Sequence, residues 1–208
     1  VDVIVLAVKP QQMKEVCAQL APRVDGQLVL SIAAGIRARD LARWLATDAI
    51  VRAMPNTPAL IGLGITGLAA LPGVSAPQRE QAAQIMAAVG QVVWLDDEAQ
   101  LDPVTALSGS GPAYVFYFIE ALMQAGHELG LTAHQSRRLA VQTFVGAAHL
   151  AAQSKDPVAT LRERVTSKGG TTAAALASME SDAVKAAIVK AIHAASRRAG
   201  ELGDEFGA

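Results

Sequence analysis

The feature that most constrains this chain is a change of rhythm near its middle. Through residues 1–100, short β-branched runs alternate with helical patterns at a period of roughly 25 residues, as parallel βαβ units do. From about Leu101 onward the strand signal stops and every periodic stretch reads as helix. The sequence therefore predicts an α/β fold over 1–100 followed by an all-α fold over 101–208, with the boundary between Asp96 and Pro112.

The individual elements follow from local chemistry. Val3 to Val8 reads as a buried central strand, and Pro10 opens a helix whose apolar stripe is Met13, Val16, Cys17 and Leu20. Strands are expected at Leu28–Ile32, Ile50–Met54, Ile65–Leu71 and Val92–Leu95. Leu41, Trp44 and Leu45 mark a second helix, and Pro55-Asn56-Thr57-Pro58 reads as extended because each proline disfavours helix at the residue before it. Ser75 with Gln78 and Thr132 with Gln135 have capping-box spacing, and Ser181 is placed to cap the last helix. A central strand at Val1 has nothing before it to pair with, so a preceding segment is expected.

Charge and composition narrow the function. Eighteen Lys plus Arg against 19 Asp plus Glu give a net charge of -1, which removes the phosphate-neutralising surface of a nucleic-acid binder. Apolar residues are 51% and aromatics only 4%, an Ala, Val and Leu excess that suits close-packed helices and buried strands. Tyr114–Leu131 is interrupted by Glu120, His127 and Glu128 and reads as a buried helix, not a membrane span. Cys17 stands alone and no His or Cys pair has ligand spacing, so a reducing, cytoplasmic setting and no metal are expected.

Three strand ends carry small or polar residues: Ala7-Val8-Lys9-Pro10, Ser31-Ile32-Ala33-Ala34-Gly35 and Met54-Pro55-Asn56-Thr57-Pro58. Open α/β sheets bind ligands at the carboxyl ends of their strands, so these mark a crevice. Gly62-Leu-Gly64-Ile-Thr-Gly67 matches G-x-G-x-x-G by letter, but a strand follows it instead of a helix, and we read it as strand glycines. Downstream, Ser167-Lys168-Gly169-Gly170-Thr171-Thr172 precedes an Ala-rich helix. Its backbone N–H groups, hydroxyls and helix dipole suit a small carboxylate.

Together with Leu107-Ser-Gly-Ser-Gly-Pro-Ala-Tyr114 and Val165 to Thr172, these segments resemble, in order and spacing, the pyrroline-5-carboxylate reductase family. The resemblance implies an incomplete Rossmann-type parallel-sheet domain, then a helical dimerisation domain like the C-terminal domain of 6-phosphogluconate dehydrogenase. It implies reduction of 1-pyrroline-5-carboxylate to L-proline by NADPH or NADH, the last step of proline biosynthesis. The partner is a second copy in an interlocked homodimer that can build larger oligomers, with the active site between one subunit's cofactor domain and its partner's helices. Carried over by motif, Ala7, Val8, Lys9 and Pro10 line the cofactor, Ala33 and Ala34 lie beside the nicotinamide, and Asn56 is near. Ser167, Gly169, Gly170, Thr171 and Thr172 cradle the substrate, with Glu98 and Val165 at its edge. Thr172 is the expected hydrogen-bond donor to the ring nitrogen.

Two departures qualify the match. Lys168 stands where many members have proline, a difference expected to alter loop stiffness more than chemistry. The family's Gly-rich loop after its first strand is not in this chain, and it is expected upstream of Val1. Two alternatives stay open from the residues: a non-catalytic dimerisation module, and a hydroxyacid dehydrogenase of the same architecture. The latter is expected to carry a lysine base on the central helix, and Pro112 to Leu131 has none.

Overall fold

The computed structural model describes residues 1–207, and these divide into two compact units: Val1–Pro112 with the segment from Ala191 onward, and Ala113–Lys190.

The first unit is built on a five-stranded sheet in sequence order, β1 (Val3–Leu6), β2 (Leu28–Ser31), β3 (Ile50–Met54), β4 (Gly64–Ala70) and β5 (Gly90–Trp94). Helices α1 (Pro10–Leu20), α2 (Ala38–Leu45) and α3 (Ala76–Ala87) connect it, and the short α4 (Leu101–Val104) follows. β1 to β3 pair in parallel, as do β4 and β5, but β3 and β4 are antiparallel, with Met54 opposite Gly67. That one reversal departs from the all-parallel expectation, and its cause is loop length. A parallel return needs a crossover of about a dozen residues or more, and only Pro55 to Leu63 separate the two strands. The stretch is not extended throughout: past Asn56 the chain winds into a 3-10 turn over Thr57–Ile61.

Two cores sandwich the sheet. Met13, Cys17, Val29, Ile36, Leu41, Leu45 and Ile50 pack on one face, and Leu28, Leu30, Val51, Leu68, Ala82 and Met86 on the other. Alternation along β2 sends Val29 one way and Leu28 and Leu30 the other, so a strand buried on both faces reads as a continuous apolar run. β1 pairs with β2 alone among the described residues, and Val5 is half exposed. The expected capping box at Ser75 and Gln78 forms at the start of α3.

The second unit is helical: α5 (Gly111–Glu128), α6 (Ala133–Gln153), α7 (Val158–Arg164), α8 (Thr171–Ser181) and the start of α9 (Val184–Phe206). Thr132 and Gln135 close their capping box on α6. Ser181 does not cap α9: it ends α8, and left-handed Ala183, at φ 51°, separates the two helices. Among the described residues of this unit only Ser136 and Ala140 are buried, while Phe116, Tyr117, Leu129, Leu139, Leu150 and Val158 lie open. Apolar helices so little covered by their own chain need a partner surface. No helix among the described residues is long and apolar enough to cross a membrane.

Candidate active site

Because β1, β2 and β3 are parallel, their carboxyl ends open on the same edge of the sheet. After β1, Ala7 and Lys9 are exposed, and Lys9 is the extended N-cap residue of α1 with Pro10 in its first turn. No side chain caps that helix start, where the Gln12 N–H donates to the Lys9 carbonyl at 3.0 Å. After β2, the Ile32 N–H donates to the Leu6 carbonyl at 3.1 Å, and the Ala33 N–H reaches Ser31 Oγ at 3.4 Å. The chain then turns at Gly35, φ 72°, where a Cβ would stand 3.0 Å from Phe206 Cδ2. Positive φ and close approach together require glycine there. Ala33 is buried and Ala34 half-buried, and their methyls leave the backbone accessible to a flat ring.

Asn56, two residues past β3, has its Oδ1 held by the Ile65 N–H at 3.0 Å, which leaves its amide N–H groups as donors. The structure thus brings Ala7, Val8, Lys9, Pro10, Ala33, Ala34 and Asn56 to one edge. Small side chains, an uncapped helix start and an oriented amide fit the nicotinamide half of a dinucleotide. The decoy glycines lie in and before β4. A Cβ on Gly64 would meet Ala59 and the Val89 carbonyl at 2.9 Å, so Gly64 serves close strand packing, while Gly62 ends the 3-10 turn at φ 72°.

Glu98, in a 3-10 turn over Glu98–Gln100, also belongs to the first unit. Its Oε1 accepts from Arg52 Nη1 and from the Ala38 N–H, each at 2.6 Å. With Gly35, Arg37, Arg39, Arg52 and Asp102 it lines a polar cavity of about 210 Å³. Sequence reasoning passed over Arg52, although the signal is present: one arginine interrupts the apolar run Ile50–Met54. It also passed over a π-turn at Thr105–Gly109, in which Thr105 and Ser108 donate their hydroxyls back to the Leu101 and Val104 carbonyls. Such turns recur at functional positions.

The remaining candidates fall in the second unit. The Gly170 N–H donates to the Ser167 carbonyl at 3.0 Å across Lys168 and Gly169, with Gly169 at φ 75° and Lys168 at negative φ: a type II turn. A side chain on Gly170 would collide with Ser167 Oγ. α8 starts at once on Thr171, and no side chain caps it. Ser167, Gly169, Gly170, Thr171 and half-buried Thr172 are thereby gathered around one helix N-terminus, while Val165 stands 68% exposed just past α7. Backbone N–H groups with a positive dipole end attract a carboxylate.

Two stretches of the chain match known families. Residues 98–202 match the family model for pyrroline-5-carboxylate reductase dimerisation, and residues 1–35 match that for NADP oxidoreductase, coenzyme F420-dependent. A pyrroline-5-carboxylate reductase of Pseudomonas aeruginosa is 51% identical over 99% of this chain and 76% of its own length. Among solved structures, the Coxiella burnetii pyrroline-5-carboxylate reductase aligns at TM-score 0.92 and 45% identity, over 97% of this chain and 76% of that one. The Plasmodium falciparum enzyme, solved with NADP bound, aligns at TM-score 0.90 and 33% identity, over 97% and 77%. These relatives favour the reductase over a dimerisation module or a hydroxyacid dehydrogenase. The chain belongs to the pyrroline-5-carboxylate reductase family of NAD(P)-dependent oxidoreductases.

Proposed function

We propose that this reductase converts 1-pyrroline-5-carboxylate to L-proline as a cytoplasmic homodimer serving proline biosynthesis, with the residues above in the following roles. When bound, NAD(P)H supplies the hydride that is added to the C=N carbon. Ala7, Val8, Lys9 and Pro10 line its binding crevice at the end of β1, and the Ala33–Ala34 backbone carries the nicotinamide ring. Asn56 offers its amide N–H groups nearby.

The observation that carries the substrate half is the uncapped start of α8 behind a type II turn. The N–H groups of Thr171 and Thr172, with the Ser167 hydroxyl, hold the substrate carboxylate, and the bare Cα atoms of Gly169 and Gly170 let the ring approach. Val165 walls the pocket's apolar edge. A protonated imine is the better electrophile, and the Thr172 hydroxyl orients that proton at the ring nitrogen. A hydroxyl is a weak acid, so Thr172 contributes by positioning more than by proton donation.

Self-association follows from the second unit, whose open apolar helices find cover on a second copy. The cytoplasmic placement suits a single cysteine, Cys17, that is buried and has no second cysteine in the chain.

The test is NADPH and NADH oxidation with pyrroline-5-carboxylate, by this 208-residue chain and by the full-length protein. Turnover by the full-length protein is expected, and silence from a folded, dimeric preparation overturns the reading. Thr172→Ala is expected to lower kcat by about 10- to 100-fold. Full kcat with only a raised KM would exclude the donor role.

A further inference from the structure

Glu98 differs from the other candidate residues in having a carboxylate oxygen that is already engaged. Oε1 takes one hydrogen bond from Arg52, in the middle of β3, and one from the N–H of Ala38, the first residue of α2. Arg52 is 8% exposed and holds Glu98 from inside the fold. Arg37, the residue before α2, does not cap the helix, so Glu98 supplies the missing acceptor from 60 positions away. A carboxylate there also faces the positive end of the helix dipole.

The loop from Ile32 to Arg37 runs between two anchors. At its start the Ile32 N–H is held by the Leu6 carbonyl, and at its end the Ala38 N–H is held by Glu98. Ala33 and Ala34 lie between them.

We infer that Glu98, set in place by Arg52, is a positioning residue for hydride transfer: it anchors the α2 end of the loop whose Ala33–Ala34 backbone carries the nicotinamide. The inference rests on the proposed placement of that ring. It gives Glu98 a role through the cofactor loop and none in touching the substrate. Hydride transfer between two stacked rings is steep in distance, and a displacement near 1 Å can slow a reaction by about 100-fold.

The test uses the full-length protein and Glu98→Gln, which keeps an acceptor for the Ala38 N–H but loses the charge opposite Arg52. NADPH affinity is read by titrating nicotinamide fluorescence, separately from turnover. Steady-state kinetics are run with both substrates, and with NADPH deuterated at the transferred position. Expected are a weaker NADPH Kd, kcat lowered on the order of tenfold with a larger isotope effect, and an unchanged KM for pyrroline-5-carboxylate. Arg52→Lys keeps the charge but loses the planar fork, and it is expected to fall between Glu98→Gln and wild type.

A rise confined to the KM for pyrroline-5-carboxylate would place the carboxylate on the substrate and overturn the inference. So would wild-type NADPH affinity and isotope effect in both variants with only a lowered Tm, since that is support of the fold alone. Failure of the reductase reading itself looks different: the wild-type protein would not oxidise NADPH with this substrate at all.

Discussion

Arg37 Nη2 lies 2.6 Å from Asp204 Oδ1, and the same nitrogen reaches the Gly200 carbonyl at 3.4 Å, so the residue before α2 is tied to the last turns of α9. Gly203 makes room for this, since a Cβ there would stand 2.9 Å from Arg37 Nε. Asp204 is 72% exposed, and an exposed pair contributes little. Asp204→Asn is therefore expected to lower unfolding stability by less than about 1 kcal/mol at low salt. Urea melts at 0.05 M and 1 M salt (roughly 13 Å and 3 Å screening lengths) check it, with the difference disappearing at high salt.

Gly67 is needed for packing. A side chain there would come within 2.9 Å of Val104 Cγ1 and 3.5 Å of Leu101 Cδ2, where α4 lies on β4. Gly67→Ala should destabilise by about 1–3 kcal/mol through overpacking. Adding Val104→Ala should recover part of that loss in denaturant melts. Strict additivity of the two changes would mean that the contact does not limit packing.

Gly62, Gly64 and Gly67 show what can be read from sequence and what cannot. Their letters imitate a dinucleotide fingerprint, and only the β-branched run that follows reveals a strand. β2 was legible because a strand buried on both faces reads as an apolar run, β3 because its run is broken only by Arg52, and the capping boxes at Ser75 and Thr132 because they are local. The antiparallel β4 depends on the length of one loop, which periodicity does not register. The Arg52–Glu98 pair joins residues 46 positions apart, and no local pattern announces such a bond. The turn at Ser167–Gly170 was legible as a glycine pair, while its type became clear only from the sign of φ at Gly169.

Burial pushes the Cys17 thiol from its usual 9.0 up to about 11. As pH rises past 9, the unfolded chain gives up this proton first and binds fewer protons than the native state. Stability is thus unaffected by Cys17 below pH 9 and falls between about 9 and 11. Thiol reagents at pH 8 are expected to spare Cys17 until denaturant exposes it. Cys17→Ala should flatten the alkaline fall in stability, and an equally steep fall in the variant would assign it to other groups.

Lys168 occupies the second position of the type II turn, where its φ is negative and its N–H makes no backbone hydrogen bond among the described residues. Proline favours that position because its ring fixes φ near −65°, so the backbone that holds Lys168 suits a proline as well. Lys168→Pro is expected to stabilise by about 0.4–1 kcal/mol, by restricting the unfolded chain. For a protein of this size that raises Tm by roughly 1–4 °C. Lys168→Gln removes the charge without stiffening the turn and should leave Tm unchanged. Both variants are expected to keep kcat, since the N–H groups at the start of α8 stay where they are. Equal Tm values for the two variants would show that the backbone at residue 168 does not suit proline, whereas a loss of kcat shared by both would assign the ammonium a part in the reaction.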